Sequence, residues 1–102
     1  MRTMLRVQFP VVRSNAAVKD GTLPEVMEGF MKELKPEVAF FYPEGGKRAA
    51  LFVFDLPDPS YIPAAAERFF SNLDAEVYMT PVMTAQELKT GLERIMKATV
   101  HA

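Results

Sequence analysis

Along this chain the apolar residues fall into alternating, continuous and helically spaced patterns, and each pattern predicts a different element. Met4–Phe9 alternates, with Leu5, Val7 and Phe9 on one side and Met4, Arg6 and Gln8 on the other. That is the signature of a strand whose two faces meet different surroundings. Ala49–Phe54 behaves differently. It follows Gly45 and Gly46, holds no polar residue at either parity, and is shut off by Asp55, Pro57, Asp58 and Pro59. Strand side chains point to alternate faces, so this run predicts a central strand covered on both sides. Val38–Tyr42 has the same two-sided character, and Pro43-Glu44-Gly45-Gly46 predicts a hairpin turn between the two strands. Glu76–Val82 is the last predicted strand, with Val77 and Met79 opposite Glu76, Tyr78 and Thr80.

The helical signals lie between these runs. Val26, Met27, Phe30, Met31 and Leu34 recur at steps of three and four, after a Thr22-Leu23-Pro24-Glu25 capping box and before Pro36. Ile62, Ala66, Phe69, Phe70 and Leu73 form a second stripe. Ser60 is its expected N-cap, which places Pro63 in the first turn, where a missing N–H costs nothing. Thr84 and Glu87 repeat the capping box and open a third helix lined by Leu88, Leu92, Ile95, Met96 and Thr99. Pro10–Gly21 offers only a helical turn at Asn15–Lys19 and a turn signal at Asp20-Gly21.

The order β-α-β-β-α-β with a C-terminal helix predicts an α+β, ferredoxin-like antiparallel sheet formed by one domain over residues 1–102. The two crossover helices cover one sheet face, matching Leu5, Val7, Phe9, Val77 and Met79. The opposite face then carries Met4, Arg6, Gln8, Glu76, Tyr78 and Thr80, joined by one parity set from each double-sided strand. Which parity joins it stays open, but every combination of the two strands brings at least one Phe. Two Phe side chains left in water would expose about 300–500 Å². Covering that area is worth about 8–12 kcal/mol as an upper bound. A lid is therefore expected: either a second copy of the chain, sheet against sheet, or the C-terminal helix folded over its own sheet. The mixed polarity of the face favours the second copy and a lined cavity over a dry helix contact.

Composition narrows the chemistry. At 102 residues, 49% apolar and 25% charged, the chain has the balance of an ordinary globular domain. A net charge of −1 without charged blocks gives no electrostatic footprint for nucleic acid or anionic lipid. The absence of cysteine removes disulfides, thiolate catalysis and cysteine-held metals. No apolar stretch approaches the ~18 residues of a membrane span. Arg6, Gln8 and Pro10 interrupt the N-terminal apolar run before it can serve as a signal peptide, so a cytoplasmic location is expected.

Candidate motifs are mostly structural. His101, the sole histidine, is one residue from the end and a poor anchor for catalysis or metal binding. Asp55 and Asp58 are read as turn formers between prolines rather than a carboxylate pair, and Gly45-Gly46-Lys47-Arg48 lacks P-loop spacing. RNA-recognition motifs share the topology, but Arg48–Asp55 puts Ala50 and Asp55 where their stacking aromatics belong. Neither a metal nor a cofactor is expected. Arg6 stands out, because on a central strand facing a closed interior it needs a partner, and Glu76 is one candidate. The alternative role has Arg6 and Gln8 orient an anionic or carbonyl-bearing ligand, with Tyr42 and Tyr78 as hydrogen-bonding walls. The predicted ligand wall is thus Arg6, Gln8, Tyr42, Glu76, Tyr78 and Thr80.

The segments Asn15–Pro24, Leu34–Tyr42, Phe54–Pro63, Ala66–Phe70 and Ala75–Met83 resemble a family of short, uncharacterised bacterial proteins related to the dimeric α+β-barrel superfamily. The resemblance spans most of residues 4–92 and rests on caps, turns and strand ends. The family pattern prefers Gln at Tyr61 and Pro at Arg68, departures that touch only the outer surface of the second helix. The resemblance implies a homodimer with a barrel interior and carries no catalytic residue. Three functions follow as expectations: a barrel that binds a small, largely apolar molecule; a cofactor-free oxygenase or isomerase acting on an aromatic or lactone substrate; or an assembly module whose interior is filled by side chains. The enzyme reading needs a base, for which only Glu76, Asp55 or a tyrosine is available.

Overall fold

A computed structural model describes residues 1–101, with side chains through Lys97. His101, and the side chain of Thr99 in the predicted stripe, therefore lie outside the described side chains. The chain runs β1 (Arg2–Gln8), α1 (Val11–Asp20), α2 (Thr22–Leu34), β2 (Val38–Glu44), β3 (Lys47–Asp55), a 3₁₀ turn (Pro59–Tyr61), α3 (Ile62–Leu73), β4 (Glu76–Pro81) and α4 (Ala85–His101). The four strands form one antiparallel sheet in the order β2-β3-β1-β4, the arrangement of a ferredoxin-like α+β fold.

Register assigns the faces. Leu5 lies opposite Phe52 and Met79, Val7 opposite Ala50 and Val77, and Phe52 opposite Ala39. The helix-covered face therefore takes Ala50, Phe52 and Phe54 from β3. These pack with Leu5, Val7 and Phe9 against Ala17 of α1, Val26, Phe30 and Leu34 of α2, and Ala65, Phe69 and Leu73 of α3. Phe30 is the hub of this core, with its ring centroid 4.4 Å from Phe52, 5.4 Å from Phe69 and 5.7 Å from Phe54. Aromatic pairs at such spacings add to the area they bury.

Several local expectations are corrected. Pro10–Asp20 holds a full helix, α1, which no side chain caps and whose buried face is only Ser14 and Ala17. Gly21, at φ 84°, ends α1 and serves as the N-cap of α2. The Thr22–Glu25 capping box does not form. Instead the Thr22 N–H, at the first position of α2, donates to Asp20 Oδ1 at 2.9 Å across the Gly21 turn. At the start of the second crossover Asp58 displaces Ser60, accepting from the Ser60 N–H at 2.8 Å. The intervening 3₁₀ turn reconciles that cap with Pro63, which still falls in the first turn of α3. The Thr84–Glu87 box forms as expected, with Thr84 N–H to Glu87 Oε1 at 2.9 Å and Glu87 N–H to Thr84 Oγ1 at 3.2 Å.

The second sheet face differs most from expectation. Among the described residues nothing in the subunit covers it: Leu51 and Val53 stay half-buried, and β3 is fully covered on one side only. It carries one phenylalanine rather than two, Phe40, which is 64% exposed. Phe41 is turned to the helix side, where it lines a shallow apolar groove with Met27 and Met31. The C-terminal helix does not roof the sheet. Among the described residues α4 makes no extensive contact with another element, and an ion pair between Arg2 and Glu87 (3.6 Å) ties its first turn to β1. The radius of gyration is 17.0 Å, against about 13 Å for a compact chain of this length.

Candidate functional site

The antiparallel register sorts the open face into three rows across the sheet. Gln8, Ala49, Tyr42 and Glu76 make the first, Arg6, Leu51, Phe40 and Tyr78 the second, and Met4, Val53, Val38 and Thr80 the third. Successive rows are two residues, or about 7 Å, apart along the strands. Polarity falls from the first row to the third. The face is therefore directional: hydrogen-bonding groups gather at one end and aliphatic side chains at the other.

Arg6 is the centre of the polar end. Its Nη1 donates to Glu44 Oε2 at 2.5 Å, a pairing that reaches from β1 over β3 to the end of β2. Ala49 lies on the intervening strand and is only 4% exposed although it points to the open face. Its methyl group leaves room for the guanidinium to cross. On the other side Arg6 Cζ stands 4.3 Å from the centre of the Tyr78 ring, its directly opposed neighbour on β4. A guanidinium over a phenol ring is attracted by the ring's negative face. The Tyr78 hydroxyl in turn donates to Glu76 Oε2 at 3.1 Å, and Gln8 Nε2 donates to the Glu44 carbonyl at 2.9 Å. One chain of contacts thus links Glu44, Arg6, Tyr78 and Glu76 across the sheet.

Of the predicted wall, Arg6, Gln8, Tyr78 and Glu76 are brought together. Tyr42 lies in the first row beside Ala49, with its hydroxyl unpaired among the described residues. Thr80 lies in the apolar row, and its hydroxyl donates to the Pro81 carbonyl at 3.2 Å. Arg6 is paired with Glu44, not with Glu76, whose carboxylate instead accepts from the Tyr78 hydroxyl. Glu44 was missed by sequence reasoning. The two-residue Gly45-Gly46 turn was the available signal, since it fixes the register that puts Glu44 on the face of Phe40 and Tyr42.

Electrostatically the cluster holds one cation and two carboxylates. The hydrogen bond to Glu76, then its negative charge, raises the Tyr78 phenol above its ordinary value, with Arg6 opposing weakly. Tyr78 is thus held protonated and serves as a donor. Among the described residues no three His, Cys, Asp or Glu side chains are grouped to hold a metal ion, and no helix is long and apolar enough to cross a membrane.

Comparison with known protein families, with curated proteins and with solved structures finds no match to this chain.

Proposed function

We propose that this protein is a homodimer whose open sheet faces meet and enclose a small, neutral, largely apolar molecule. The observation that carries the reading is the directional open face, apolar at the Met4–Val53 end and hydrogen-bonding at the Arg6–Glu44 end, left uncovered by its own subunit. A ligand lying along it would rest on Leu51, Val53 and Phe40 and turn a carbonyl or hydroxyl towards Arg6. Glu44 takes one guanidinium N–H, and the others have no protein acceptor among the described residues. The two carboxylates oppose an anionic head group, so the ligand class narrows from anionic or carbonyl-bearing to neutral. The resemblance to dimeric α+β barrels supports the same arrangement, in the cytoplasm.

The oxygenase or isomerase alternative has less support. Tyr78 is poorly suited as its base, since the bond to Glu76 shifts the phenol away from ionisation, and Asp55 sits at the sheet end, paired with the Met1 ammonium at 2.6 Å. That leaves Glu76 and Tyr42 as its candidates on the open face.

Native mass spectrometry at micromolar concentration, paired with Nile red fluorescence, tests the proposal. An assembly that enhances the dye is expected, and Leu51→Asp should halve its mass and abolish the enhancement together. A monomeric wild-type chain, or a Leu51→Asp variant with the mass and dye enhancement of wild type, would reject it.

A further inference from the structure

The C-terminal helix presents a second surface that needs a partner. Residues 85–101 form α4, about 26 Å long at 1.5 Å per residue. Leu88, Leu92 and Met96 follow one another at steps of four, and they are 47, 51 and 66% exposed. A single helix of this length is marginal in water unless its apolar face is packed. The stripe is flanked along one edge by Lys89 and Glu93, and their order along the helix identifies the surface that complements it.

We propose that α4 pairs with α4 of a second copy, antiparallel about a twofold axis near Gly91 and Leu92. In that arrangement Lys89 meets Glu93 of the second copy, Glu93 meets its Lys89, and Leu88 packs beside Met96. Each of these charge contacts joins opposite signs. A parallel pair would instead set Lys89 and Glu93 against the edge of Gly91 and Ile95 of the other copy, without a charge partner, and would align the helix dipoles, both unfavourable. An added Cβ at Gly91 meets nothing within 4 Å, so the crossing point is unobstructed in the subunit. A twofold contact is self-complementary, as this charge order requires. It is also smaller than the ~1,600 Å² of a standard interface, so it dissociates on dilution.

This interface is separate from the sheet-face contact and does not rest on it. With both in operation the chain is a dimer of dimers; with the arm contact alone it is a dimer.

Because the chain has no cysteine, single introduced thiols report the pairing directly. Leu92→Cys should give a disulfide-linked dimer under mild oxidation, at least ten-fold faster than an exposed control, Ser71→Cys. Leu88→Cys and Met96→Cys should each resemble the control, since the same residue in the two copies then lies about 12 Å apart along the axis. An equimolar mixture of those two variants should instead cross-link to each other. Lys89→Glu in the Leu92→Cys chain should slow the reaction, and adding Glu93→Lys should restore it. The same pattern is expected with Leu51→Asp present. Equal cross-linking at all three positions, or none above the control, would overturn the proposal. A pattern that vanishes with Leu51→Asp would overturn it as an independent interface.

Discussion

Arg6 and Glu44 pair across a strand that belongs to neither of them, at 2.5 Å, over the methyl group of Ala49. The pair joins the first strand of the sheet to the third, without a direct backbone link between β1 and β2. Its side chains are about one-third exposed, 32% and 37%, which places it between surface ion pairs of little value and buried ones that cost heavily when broken. A double-mutant cycle with Arg6→Met and Glu44→Gln, read by urea unfolding, should give a coupling of about 0.5–1 kcal/mol after allowance for solvent screening. Ala49→Leu should abolish that coupling by filling the crossing point. A coupling indistinguishable from zero in wild type would mean that the two charges are independently solvated.

Tyr78 provides a second check on the same cluster. Its phenol is held up chiefly by the bond to Glu76, so it should ionise above the ordinary tyrosine range of about 10. The phenolate absorbance lost in Tyr78→Phe isolates this group from Tyr42 and Tyr61. Glu76→Gln removes both the charge and the ionic acceptor and should bring the transition down. A transition that is unmoved by Glu76→Gln would show that the hydrogen bond is not maintained in solution.

The parts of this arrangement that were legible in the sequence are those in which one residue pattern excludes the alternatives. The alternation in Met4–Phe9 fixes which side of β1 meets the helices, and Thr84 with Glu87 marks the start of α4, each without reference to distant residues. Strands β2 and β3 could not be oriented in the same way, because both parities are apolar and either would satisfy a buried face. Their orientation is set by pairing with β1, a long-range choice that favours Ala50, Phe52 and Phe54 around Phe30. Helix α1 escaped notice because Pro10 offers no side-chain cap and its buried positions are the small residues Ser14 and Ala17. The Arg6–Glu44 contact was hidden for the same reason as the parity: β1 and β2 are neighbours of β3, not of each other.

Lys35 and Asp74 occupy the left-handed region at the ends of α2 and α3, with φ of 46° and 51°. Residues with a Cβ are strained there, and glycine is favoured at such helix ends. Part of the gain from glycine is offset by the greater freedom it gives the unfolded chain. Lys35→Gly and Asp74→Gly should each still stabilise the protein, by about 0.5–1 kcal/mol in denaturant midpoint analysis. The two sites lie on different helices, so their effects should add. A loss of stability in either variant would show that the side chain, rather than the backbone, stabilises that helix end.

Three carboxylates hold helix and turn starts, and all three are shifted in the same direction. Asp20 is held low by its bonds from Thr22, Asp58 by its bonds from Ser60, and Glu87 by the Thr84 N–H and then the Thr84 hydroxyl. A carboxylate whose folded value is depressed stabilises the folded state above its unfolded value and loses that contribution as pH falls through the folded one. The ordinary values are 3.8 for the aspartates and 4.5 for Glu87. Stability should therefore be level on this account near neutrality and decline as pH drops below about 4.5, and the helix content of α4 should fall with it. Glu87 is the sharpest test, because α4 has little other support from the subunit. Glu87→Gln keeps a hydrogen-bond acceptor for the Thr84 N–H but cannot titrate. Circular dichroism of that variant should show a smaller loss of helix between pH 5 and pH 3 than wild type, with little change at pH 7. An identical acid transition in the two chains would mean that the Thr84–Glu87 box does not hold α4 in place.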